Sequence, residues 1–221
     1  MNKEWSELNK TMQLQLKKEA SWQAGIDTLI DLRNQLMDIL LSFRKDLTRE
    51  DFDAIPFINA DGYHSKTIGY SIWHIFRIED IVVHTLINGD DQIFFSGNYQ
   101  KRIHSPIVTT GNEFVKQQIA DFSRLLDLNE LYAYITEVKR STETILKKLP
   151  YDKLKWKVSN ERKENLKSLH VVSADEKAYW LIDYWCGKDI RGLIQMPFSR
   201  HWIMHTEACL KIKTKLVHCE K

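Results

Sequence analysis

His201 and His205 stand four residues apart in the run Pro197-Phe198-Ser199-Arg200-His201-Trp202-Ile203-Met204-His205. On a helix one turn separates them, so both imidazoles leave the same face, close enough to grip one metal ion. They fall on the stripe Phe198, His201, His205, Ala208 and Ile212, whose 3-4-3-4 spacing marks the inward face of a bundle helix. Histidines facing a core are costly to leave unpartnered, because each ring keeps a nitrogen that needs a donor, an acceptor or a metal. A third inward histidine, His74, lies on the stripe Ser71, His74, Ile78, Ile81 and Thr85, near the start of another predicted helix. Zinc and related divalent ions bind neutral imidazole at ~2.0–2.1 Å, and catalytic sites commonly use three protein ligands with one position left for water or substrate. A lone inward histidine is ordinarily a hydrogen-bonded packing residue, whereas the i, i+4 pair is the stronger signal. His64, His84, His104, His170 and His218 fall in predicted loops, helix ends or exposed positions and read as surface residues. His64 is set apart only because its loop immediately precedes the helix that bears His74.

The elements that must position these rings are helical. Trp22, Ile26, Leu29, Arg33, Leu36, Leu40 and Phe43 predict a helix over 20–45, with Arg33 burying its stem while its head reaches out. A short amphipathic segment precedes it around 5–18. A second helix is expected over 67–88, ended by Asn88-Gly89, since glycine suits the left-handed position just past a helix. Residues 89–111 read as a long loop, and 112–126 as a modest amphipathic segment. Asp127-Leu128-Asn129-Glu130 has the form of a capping box and opens a third helix closed by Pro150. The stretch 151–172 alternates weakly and reads as a loop or small hairpin. Ser173-Ala174-Asp175-Glu176 is a second capping-box match, opening a helix that ends near Gly187. Pro197, tolerated in a first turn, opens the last helix through about 215. His74 lies early in its helix and the other pair early in theirs, so parallel neighbours would bring them level directly and antiparallel ones need a longitudinal offset. The prediction is an all-α fold: a four-helix bundle (20–45, 67–88, 128–149, 197–215) with accessory helices and long crossover connections, in a single domain spanning 1–221.

Composition narrows the function. Hydrophobic residues at 43% and charged residues at 28% describe a soluble globular protein of 221 residues. A formal charge of +2 argues against a dedicated nucleic-acid binder, which needs a clear basic surplus. Eight Lys or Arg between Lys147 and Lys167, against Asp152, Glu161 and Glu164, form a local exception. Such a run is usually a solvated loop; the sharper reading is a docking surface for an anionic small molecule. Three cysteines without repeated spacing make a disulfide framework improbable. With no signal-like N-terminal segment and no apolar run of ~18–20 residues, a cytoplasmic protein without membrane association is the expectation. The metalloprotease motif fails because Trp202 stands where its glutamate belongs, and no paired Glu-x-x-His motif, phosphate-binding Gly-rich loop or Cys-x-x-Cys is present. The seven tryptophans and eight tyrosines are read as core packing.

Ser71-Ile72-Trp73-His74-Ile75-Phe76-Arg77-Ile78-Glu79 and His201-Trp202-Ile203-Met204-His205 together resemble the DinB/YfiT-like metalloenzyme family. That family pairs a histidine near the start of its second helix with a His-x-x-x-His motif on its final bundle helix. The resemblance implies a four-helix bundle with a long crossover, His74, His201 and His205 as ligands of nickel, zinc or a similar ion, and a homodimer. It follows most of the chain in helix order and departs from the family in an N-terminal extension (1–19), an insertion (150–190), and Thr206-Glu207-Ala208-Cys209 in place of a histidine-rich continuation. The function expected is a metal-dependent enzyme acting on a small molecule, either a hydrolase or an S-transferase using a low-molecular-weight thiol that the basic 147–167 segment would receive. Tyr70, one turn before His74, is the candidate proton donor, and Tyr70, Ile78 and Phe198 are the candidate substrate-lining residues. No dedicated general base stands out. The competing expectation is a non-catalytic binding or stress-related bundle with a histidine-lined polar core.

Overall fold

The computed structural model describes the backbone of residues 2–219 and the side chains of 2–217, so the expectation that His218 is a surface residue lies outside the described residues. In chain order its helices are α1 (Lys3–Gln15), α2 (Trp22–Asp46), α3 (Ile68–Asp80), α4 (Ile93–Ser96), α5 (Tyr99–Arg102), α6 (Gln117–Leu125), α7 (Leu128–Lys148), α8 (Asn160–Ser168), α9 (Glu176–Cys186), α10 (Ile190–Gln195) and α11 (His201–Cys219). Wider π-helical turns extend α3 through Ile81–Asn88 and join α10 to α11 through Met196–Arg200. The described residues form no strand; Lys157 and Asp189 make an isolated bridge. Among the described residues no helix is long and apolar enough to cross a membrane.

The four expected long helices form the bundle. α2 lies against α7 and α11, and so does α3, closing a four-membered ring. Contacts give the directions. Arg33 meets Glu143 and the Leu40 carbonyl meets Tyr132, so α2 and α7 are antiparallel. His74 meets His205 and Glu79 meets Trp202, so α3 and α11 are antiparallel as well. By contrast Asp80 meets Tyr134 and His84 meets Ser141, so α3 and α7 run parallel. Parallel neighbours cannot be joined by a tight turn, which is why residues 89–127 carry the chain back along the bundle. The antiparallel pairing of α3 and α11 supplies the longitudinal offset that the histidines require, because Ile81–Asn88 runs on past the level of His201.

Sequence cues account for most boundaries. Thr67 caps α3 by accepting from the Tyr70 amide at 3.0 Å, Asp127 caps α7 by accepting from the Glu130 amide at 3.0 Å, and Gly89 ends the second bundle helix at φ 80°. Four expectations need correction. The 151–172 stretch is neither loop nor hairpin: Ser159 caps α8, whose sole buried side chain is Leu166, so no apolar stripe announces it. Asp175, not Ser173, caps α9, accepting from Lys177 N. The loop 89–111 contains α4 and α5, each too short for periodicity to register. Pro197 does not open the last helix but sits in a π turn inside a helical path beginning at Ile190; the wider turn accommodates its missing N–H.

Arg33 is the largest departure. Its head does not reach solvent; the side chain is wholly buried and forms a two-pronged pair with Glu79 at 2.7 and 2.9 Å. It also donates to Glu143 at 3.3 Å and to the Phe198 carbonyl at 3.2 Å, and lies 4.3 Å over the Trp202 ring, whose Nε1 donates to Glu79. All four bundle helices thus meet in one polar layer. It divides the apolar interior in two, with Leu36, Phe76, Val138 and Trp202 on one side and Leu29, Ile78, Leu146 and Phe198 on the other.

Candidate metal centre

The antiparallel register of α3 and α11 brings His74, His201 and His205 together. Their ring centroids lie 5.1 Å (74–201), 5.0 Å (74–205) and 4.6 Å (201–205) apart. One nitrogen from each falls within 4.8 Å of the others, and all three side chains are buried. This is a buried three-histidine cluster able to chelate a metal ion. Tetrahedral bonds of ~2.0–2.1 Å would bring such nitrogens to about 3.4 Å apart, so side-chain rotations on the order of 1 Å close the set around an ion.

The donor chemistry fits the ion. His74 Nδ1 lies 2.6 Å from the Thr110 carbonyl, which can only accept, so Nδ1 carries the proton and Nε2 keeps its lone pair. His201 Nδ1 and both nitrogens of His205 are buried without a hydrogen-bond partner. Burial holds the imidazoles neutral: His74 is lowered to about 4, with the Thr110 hydrogen bond opposing and Lys66 adding to the shift. Burial likewise holds His201 and His205 well below the usual histidine range, reinforced by the neighbouring rings. Neutral imidazoles are the form that binds metal.

A loop on the crossover holds His74 from behind. Thr110 supplies the accepting carbonyl, and the Gly111 carbonyl accepts from the Tyr70 hydroxyl at 3.0 Å. The Tyr70 ring stacks on His74 at 5.2 Å. Gly111 has φ 72°, and a Cβ there would lie 3.0 Å from both the Tyr70 and Trp73 rings. Glycine is needed at this point for both reasons.

The cluster forms one end of a cavity of about 220 Å³. Its walls carry Ile78 from α3, Asn112 from the crossover loop, Tyr63, and Trp180, Tyr184 and Trp185 from α9. Ile78 lines this cavity. Phe198 is buried in the core away from this cavity, with its carbonyl turned to Arg33. Tyr70 is not on the cavity wall either; its hydroxyl faces Gly111 and, at 3.4 Å, His74 Nδ1, and burial pushes its ionisation far above the ordinary tyrosine value. The sequence reading assigns tryptophans and tyrosines to packing and so does not single out Tyr63 or the α9 aromatics, and no motif marks Asn112. A signal existed: Trp180 and Tyr184 are one turn apart, off the core face of α9, and Trp180 is 51% exposed.

Two other expectations change. His84 is not a surface residue: it is buried on the π-helical extension, with Nδ1 2.7 Å from Asp90 and Nε2 3.2 Å from Ser141. His64 is half-buried against Phe57 and belongs to a separate groove. In the basic segment, Lys153, Lys157 and Arg162 line another cavity beside Leu86 and Ile87, and Arg162 caps the helix end through the carbonyls of Leu86, Ile87 and Asn88. Twelve residues separate His74 from Leu86, which is roughly 18 Å along a helix.

Comparison with known proteins returned no matching family model and no matching curated protein.

Proposed function

We propose that this chain is a metal-dependent enzyme of the DinB/YfiT-like type, holding a divalent ion on His74, His201 and His205 and acting on a small molecule in the adjoining cavity. The observation that carries the reading is the unpartnered set of buried ring nitrogens. A hydrogen-bonded polar core would pair them with each other or with neighbours, and His201 Nδ1 and both nitrogens of His205 have no such partner. All-nitrogen donors favour zinc or nickel over magnesium or calcium. Such an ion supplies Lewis acidity, activating water for hydrolysis or stabilising a thiolate for transfer.

The chain's own residues do the rest. Thr110 fixes the His74 tautomer, the aromatic walls offer an apolar lining, and Asn112 offers a polar atom beside the histidines. Thiol transfer draws its support from the family resemblance, because the basic 147–167 segment lies at the far end of the second bundle helix. Protein purified without a histidine tag is expected to carry about one zinc or nickel per chain by elemental analysis. His205→Ala should lose that ion while its far-ultraviolet dichroism stays helical. A metal-free wild type that cannot be loaded with either ion would refute the proposal.

A further inference from the structure

The shape and chemistry of the cavity define what it accepts. Resting on the metal reading, we infer that the site takes an uncharged, ring-sized apolar group carried on a metal-binding oxygen head with an N–H or O–H donor beside it. Among the described residues no Asp, Glu, Lys or Arg side chain lines the cavity. Its volume of about 220 Å³ exceeds the ~150 Å³ that suffices for benzene. Trp180 and Tyr63 stand 51% and 39% exposed at its walls, an arrangement that leaves apolar surface in water unless a ligand covers it. The Tyr63 ring meets His205 edge-on at 4.8 Å and the Trp180 ring meets Tyr184 at 5.4 Å, so the aromatic wall is continuous with the histidines. The polar requirement is equally local. Asn112 Oδ1 is buried without a partner on that wall, and an acceptor so placed calls for a donor on the ligand. Lys66 Nζ lies 5.5 Å from the Tyr70 ring centroid and Lys188 Nζ 4.2 Å from that of Tyr184, each covering a ring and neither on the cavity lining.

The test compares hydroxamates, which share one metal-binding head with its N–H and differ in their body. Zinc-loaded protein is titrated calorimetrically with acetohydroxamate, benzohydroxamate and 4-carboxybenzohydroxamate, each normalised to its affinity for free zinc. Benzohydroxamate is expected to bind at least about tenfold more tightly than acetohydroxamate through burial of its ring, and the carboxylated ring should lose that advantage. Trp180→Ala, a change at an exposed side chain, should bring the benzohydroxamate to acetohydroxamate ratio close to one without altering zinc content. Equal binding of the first two, a preference for the carboxylated ring, or a ratio unmoved by Trp180→Ala in zinc-loaded protein would overturn the inference while leaving the metal site standing. A chain that takes up no zinc fails the reading beneath it, and the inference with it.

Discussion

His205 has two buried ring nitrogens and no hydrogen-bond partner for either, and this imidazole, with its two neighbours, has a measurable cost in acid. An unfolded histidine takes up a proton near pH 6.5. Folded His74 is lowered to about 4 and the other two lie well below the ordinary value. The folded state therefore binds fewer protons than the unfolded state at all pH values between 6.5 and 4. Stability that is present above pH 6.5 is progressively lost as pH falls through that window, by about 1.4 kcal/mol per pH unit for each proton involved. Urea unfolding of the metal-free protein should thus weaken more steeply with acid in wild type than in His205→Phe, the difference isolating this histidine from the carboxylates. Parallel slopes for the two proteins would contradict the assignment of a neutral, buried ring.

The elements contribute precision that single residues cannot. α3 and α11 set the level of the three rings, and the crossover loop clamps His74 through one carbonyl. Gly111 sits in the left-handed region, with two aromatic rings 3.0 Å from where a Cβ would stand. Gly111→Ala should therefore cost about 1–3 kcal/mol in chemical denaturation. By disturbing the neighbouring Thr110 carbonyl it should also weaken zinc binding about 10- to 100-fold in competition with a chelator. Unchanged zinc affinity in a destabilised variant would show that the loop serves the fold alone. The helices behind this arrangement were legible because their apolar stripes are long. α8 was not, since one buried leucine makes no stripe, and neither were α4 and α5, which are single turns.

At the scale of the whole molecule, one buried polar layer joins the four bundle helices. Arg33 pairs with Glu79 at the centre, reaches Glu143 on α7, and holds the Phe198 carbonyl in the π turn that leads directly into His201. Removing one partner of such a pair leaves a stranded charge, so Arg33→Met should destabilise the protein by about 3–5 kcal/mol. Arg33→Met/Glu79→Gln, which removes both charges yet leaves Trp202 an acceptor, should recover most of that loss. A double variant as unstable as the sum of its single changes would mean the two residues act independently.

The periodicity of the apolar residues was enough to determine the all-helical class and the four long helices, and the i, i+4 spacing was enough to put His201 and His205 on one inward face. Those properties are local, because they follow from the 3.6-residue turn. Everything that turns three histidines into a site is non-local. Only the tertiary structure decided that α3 meets α11 antiparallel with the offset that levels His74 with His205. It alone decided that Arg33 turns inward to a carboxylate 46 residues away in sequence, and that α9 and the Tyr63 loop supply the walls of the cavity. The physical reason is that a side chain's type and spacing fix which face it occupies, while its partner is chosen by how whole helices pack.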